Sequence, residues 1–167
     1  MPSEILFQTQ LVLGYVVWLL CFGVYIWPRL IAMEQFEAHR AIATLHSFRF
    51  FGLVFILPGV VGPNLPASFA TSAAYGDFAT GVLAMFALLA ARIRPLFWLL
   101  VVAFNVMGTI DLALNYYHAV QAGLAAQAGD LGAMYGIPIL FVPVLMITHV
   151  VAFFLMLGPR FGVVRPA

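Results

Sequence analysis

Residues 67–91 read ASFATSAAYGDFATGVLAMFALLAA, a run whose single charge, Asp77, lies near its middle. At ~1.5 Å per residue a helix of that length covers about 37 Å, more than the roughly 30 Å hydrocarbon core of a bilayer. Ala70, Ala73, Ala74, Gly81 and Ala84 recur on the helical face that carries Asp77. Small residues on one stripe mark where membrane helices approach closely. The segment therefore reads as a spanning helix that turns Asp77 into a bundle.

Outward from it lie four more apolar segments, at about 5–27, 42–61, 96–118 and 137–157. Pro28 is expected to close the first. Gly62-Pro63-Asn64-Leu65-Pro66 reads as a tight turn, Arg92-Ile93-Arg94-Pro95 as a break, and Gly158-Pro159 as the end of the fifth. The 167 residues are 65% hydrophobic and 8% charged, with mean hydropathy +1.08. A soluble domain carries about 25% charged residues. The composition excludes a soluble globular fold and a disordered chain alike. The expected architecture is all-α: one transmembrane domain over residues 1–167, a bundle of five spanning helices.

Arginine placement predicts the orientation. Arg29 and Arg40 lie between the first two spans, Arg92 and Arg94 between the third and fourth, Arg160 and Arg165 after the fifth. All fall on one side. The N-terminus, the 62–66 turn and the 119–136 loop carry no arginine. The expectation is an inner-membrane protein, bacterial, with a periplasmic N-terminus and a cytoplasmic C-terminus. The Met-Pro-Ser-Glu start has an acid and no base, so the first span is expected to be retained rather than cleaved. Gln35, His39, His46 and Arg49 recur at helical spacing, which predicts that the second span extends continuously into the cytoplasm.

Several chemistries are excluded. The seven cations are all arginine, so lysine nucleophiles, Schiff bases and the P-loop lysine are absent. The single Cys21 excludes an internal disulfide and a Cys-x-x-Cys pair. A net charge of +1 points away from nucleic acid. Tryptophan-rich sensory proteins have five spans in a similar length, but their Trp-Lys-Pro-type signature is missing here.

Ionisable residues within spans cost on the order of 2.5–3.5 kcal/mol each for Asp or Arg at a helix centre. Arg49, Asp77, Asn105 and His149 are expected to share a layer near the midplane, with Arg49 paired to Asp77. Asp111, Asn115 and His118 form a stripe further out on the fourth span, and His46 is placed nearer the other surface, about two turns from His149 in depth. Pro143 is expected to kink the fifth span and free a carbonyl near Ile139, and Pro58 to bend the second, together widening a cavity toward the outer leaflet.

The expected function is a buried polar site that binds or processes a small lipophilic or anionic ligand by acid/base chemistry. Asp77 and His149 would exchange protons, while Arg49, Asn105, His46, Asp111, Asn115 and His118 would bind the ligand. The alternative is a small subunit or assembly factor of a larger membrane complex. Haem or metal binding and proton or solute conduction are further alternatives. The expected surroundings are lipid, and the partner set stays open between a homo-oligomer and a larger membrane complex. No metal ligand set is assigned, and the sequence leaves the cofactor unknown.

Overall fold

The computed structural model describes residues 2–158, which are helical throughout apart from turns and contain no β-strand. Helix α1 spans Ser3–Ala32. Helix α2 spans Gln35–Ser47 and is prolonged by a 3₁₀ stretch, Phe48–Ile56. Helices α3 (Ala67–Leu89), α4 (Arg94–Gln121) and α5 (Ile137–Leu157) follow. Four of these, α1, α3, α4 and α5, are long and apolar enough to cross a membrane. The α2 segment also has the reach. Thirteen α-helical residues at ~1.5 Å and nine 3₁₀ residues at ~2.0 Å extend about 37 Å.

Regular winding fails at Phe48 for a reason visible in the packing. Arg49, Gly52 and Phe55 are the buried residues of the 3₁₀ stretch. Their spacing of three matches the three residues per turn of a 3₁₀ helix, so all three line one edge and face the core. The expected single α-helix over 42–61 is thus corrected. Pro58 bends nothing either. The 3₁₀ stretch ends at Ile56, and Leu57 is extended, as a residue before proline prefers.

Pro28 does not close the first span. The helix continues to Ala32 because a π-helical turn, Phe22–Ile26, precedes the proline. The N–H of Trp27 reaches back to the Phe22 carbonyl, and the Arg29 side chain donates to the carbonyl of Tyr25. The same device recurs in α5. A π turn at Ile137–Phe141 precedes Pro143, and the Val142 N–H reaches back to Ile137. Here Trp18 Nε1 donates to the Leu140 carbonyl at 2.6 Å. In both helices the carbonyl three residues before the proline is satisfied by a side chain. Gly14 of α1 packs against the Ile139 carbonyl, where Pro143 was expected to free one. Trp18→Phe keeps an aromatic ring, though a smaller one, and removes the donor, so it should lower stability by at least about 1 kcal/mol in thermal unfolding. An unchanged melting temperature would show that the bond contributes nothing.

Helix α3 is the centre of the bundle. Its small-residue face, Ala70, Ala73, Ala74, Gly81 and Ala84, is buried against α4 and the α2 segment. Gly81 sits so close to the Phe50 N–H that a Cβ would lie 2.8 Å from it. At one end of the bundle Phe36 is covered by Arg94, 3.4 Å from its ring centre, and by Arg40 at 5.6 Å. At the other end Ser3 donates to Ala126, and the 62–66 turn is tied to Asp130, whose carbonyl accepts from Gly62 N–H at 2.6 Å. The expected continuous cytoplasmic extension begins at Gln35; Met33 and Glu34 interrupt it, and Arg29 belongs to α1. Arg160 and Arg165 lie outside the described residues.

Candidate functional site

Helix α2 turns one polar edge onto α5. Gln35 Nε2 donates to Leu155 O at 2.7 Å, and His39 Nε2 lies 3.3 Å from Ala152 O. His46 Nε2 meets Thr148 Oγ1 at 3.0 Å, and Arg49 Nη1 meets His149 Nε2 at 3.1 Å. The two segments therefore run antiparallel, and the stripe read from the sequence is their shared seam. His39 is fully buried, whereas Gln35 at the end of the stripe is exposed.

Arg49 is the hub. It is 0% exposed, and each guanidinium nitrogen has a protein partner. Nε donates to Asp77 Oδ1 at 2.7 Å and Nη2 to Asp111 Oδ2 at 2.5 Å, while Nη1 faces His149. A guanidinium has donors only, so His149 Nε2 must accept. Its proton then sits on Nδ1, which donates to Asn105 Oδ1 at 2.9 Å. Asn105 Nδ2 passes the polarity on to Val101 O at 2.8 Å. This ordering assigns a neutral His149 with a fixed tautomer.

Three glycines make room for the hub. A Cβ on Gly52 would lie 2.5 Å from Asp77 Oδ2, and one on Gly108 2.5 Å from both Arg49 Nη1 and His149 Nε2. Gly76 is pressed against the Asp111 carboxylate. Sequence reasoning did not single out these three glycines. Their only sequence signal is position: each lies on a helix that also carries, or directly faces, a charged residue of the site.

Two placements differ from expectation. Asp111 belongs to the same cluster as Asp77, because the long Arg49 side chain reaches two carboxylates at once. His46 is level with His149, with ring centroids 4.1 Å apart and planes inclined at 37°. Hydropathy rises only at Ile42, which sets His46 near the surface, whereas the packed helix begins at Gln35. Stacked rings this close leave no room for a porphyrin between them. Among the described residues no group of three or more His, Cys, Asp or Glu is arranged to hold a metal ion.

Asn115 Nδ2 donates to Asp111 Oδ1 at 3.2 Å, while its own Oδ1 has no partner. His118 makes no hydrogen bond to the cluster, and its Nδ1 is likewise unpartnered. His46 Nδ1 is in the same condition. Asp77 and His149 are not hydrogen-bonded to each other; Arg49 stands between them.

Beside the cluster lies a cavity of about 290 Å³, walled by all five helical segments. Phe7 of α1, Phe55 of the 3₁₀ stretch, Phe69 of α3 and Tyr116 of α4 line it, with Pro138 and Val142 of α5. Buried Asp77, with Asn115, forms its polar inner end, and exposed Glu4 and Gln8 stand at its rim. Arg49, Asn105 and His149 remain behind its wall. The enclosed cation faces protein carboxylates, not the cavity.

These features define a helical protein with four helices long and apolar enough to cross a membrane and a buried polar cluster beside an apolar cavity. The chain belongs to the family described as "Domain of unknown function (DUF8737)", whose model matches residues 6–157. No curated protein and no solved structure matches it.

Proposed function

We propose that the protein is a membrane-embedded binding protein for a small, largely apolar molecule, held in the cavity with its polar group on Asp77 and Asn115. One observation carries this reading. Of the polar cluster, Asp77 and Asn115 line the cavity, whereas Arg49, Asn105 and His149 are sealed behind it. An acid/base pair acting on a substrate needs both members within reach of it. Asp77 alone meets that condition, so the arrangement suits binding better than turnover. In this reading Arg49, His149 and Asn105 hold the Asp77 carboxylate in place. A concave apolar site with few converging polar groups is the usual form of a small-molecule pocket.

The gathering of Arg40 and Arg94 at the end away from the cavity supports a bilayer orientation with the N-terminus outside. The cavity would then open toward the periplasmic leaflet of a bacterial inner membrane.

The test is extraction of the purified protein with organic solvent, followed by mass spectrometry. The wild type should carry a stoichiometric lipophilic compound. Ala119→Phe, which places a ring in the cavity wall, should lower its occupancy about tenfold or more, equivalent to about 1.4 kcal/mol. Its melting temperature serves as the folding control. An empty wild type, or equal occupancy in a folded variant, would overturn the proposal.

A further inference from the structure

The polar cluster contains one guanidinium, two carboxylates and a histidine whose hydrogen bonds assign it as neutral. With both acids ionised, the cluster is one positive charge short. An uncompensated charge in a low-dielectric interior is costly and is met by a partner or by protonation. Among the described residues the charged side chains lining the cavity are Asp77 and Glu4, both acidic, and neighbouring Arg49 is turned toward the carboxylates behind the wall. Its walls present Phe7, Phe55, Phe69 and Tyr116. Aromatic side chains around an acidic floor are the chemistry that recognises an organic cation, through ring quadrupoles and a counter-charge together.

We infer that the cavity takes a small lipophilic monocation, an amine or quaternary ammonium, in exchange for one proton held by the Asp77–Asp111 pair. This deepens the proposed function and rests on it. The cation sits against the cavity face of Asp77. The proton it displaces resides on Asp111 when the cavity is empty. Asn115 provides for both states. Turning its amide over places the partnerless oxygen against Asp111 Oδ1, where a protonated carboxyl donates to it; in the unturned form Nδ2 donates to the ionised acid. Charge is conserved: one monocation enters, one proton leaves, and the cluster stays neutral.

The groups facing Asp111 fit this exchange. Arg49 approaches from the 3₁₀ stretch, and His149 of α5 reaches it only through Arg49. Asp77 on α3 shares the same arginine. Tyr116, five residues along α4, is bonded to Tyr15 of α1 at 2.6 Å, and Glu4 stands at the distant rim.

The experiment compares phenyltrimethylammonium, its uncharged isostere tert-butylbenzene, and benzenesulfonate. Binding is measured by calorimetry on protein in nanodiscs, with Ala119→Phe nanodiscs subtracted. The cation should bind at least tenfold more tightly than the neutral isostere. Calorimetry in two buffers of different ionisation enthalpy should show one proton released per cation bound. Affinity should rise with pH, by up to about tenfold per unit while the proton is being displaced. Asp111→Asn should abolish proton release and flatten the pH dependence. Should that variant fail to fold, the wild-type proton count decides alone. If the neutral isostere or the sulfonate binds as well as the cation, or no proton is released, the cavity remains a ligand site and the cation inference falls. If none of the three binds above the Ala119→Phe blank and extraction also finds the wild type empty, both fall.

Discussion

Arg49→Ala should leave little folded protein. The substitution leaves the buried Asp77 carboxylate with no counter-charge and Asp111 without its Arg49 donor, and it removes the donor that orients His149. Breaking a buried pair by deleting one partner costs about 3–5 kcal/mol. Much of that cost is the desolvation of the orphaned acids, which gives the prediction a sharper form. Arg49→Met combined with Asp77→Asn and Asp111→Asn removes every charge while keeping side chains of similar bulk. That triple variant should recover much of the lost stability, since apolar or neutral replacements of whole buried ion clusters are often well tolerated. Thermal unfolding and size-exclusion profiles in detergent would read both. A stable Arg49→Ala protein, or a triple variant no better than the single one, would remove charge pairing as the organising force of the core.

Gly108→Ala should be the second most damaging small change. Alanine favours a helix over glycine by about 1 kcal/mol, so a neutral site would gain stability. At Gly108 the added methyl would lie 2.5 Å from both Arg49 Nη1 and His149 Nε2. The arginine tip cannot swing aside, because its other nitrogens are tied to two carboxylates. Overpacking of this kind costs about 1–3 kcal/mol. Gly23→Ala is the matched control, since nothing lies within 4 Å of its Cβ position. The two variants should move the melting temperature in opposite directions, and equal shifts would discount the close packing around the guanidinium.

Much of the bundle follows from hydropathy, and the reason is physical. Lipid leaves a chain few options, so apolar runs separated by arginine, proline and glycine become helices and turns. The inward direction of Asp77 was legible from the alanines beside it, and its pairing with Arg49 from the expense of a lone charge. The 3₁₀ winding was not legible in practice. FRFFGLVFI does carry Arg49, Gly52 and Phe55 at a spacing of three, but apolar residues fill every other position and hide the period. The joining of Asp111 to the Arg49 cluster is not legible, because depth counted in backbone rises ignores the reach of an arginine. Pro28 reads as a helix end because a π turn has no compositional marker. The glycines that admit the guanidinium and the acids were invisible for a related reason. A glycine in an apolar helix reads the same whether it faces outward, as at Gly23, or a buried ion, as at Gly108.

The two π turns carry a further consequence, for the rotational phase of the helices. Each inserts roughly one residue into an otherwise regular winding, and one residue is about 100° of rotation. Deleting a residue within Phe22–Ile26 would restore an ordinary helix across Pro28. It would also spin the preceding part of α1 by that angle, carrying Gly14 and Trp18 away from α5 and Phe7 away from the cavity. Local regularity and global fit are thus opposed in this helix, and a shortened α1 would wind better while closing no pocket.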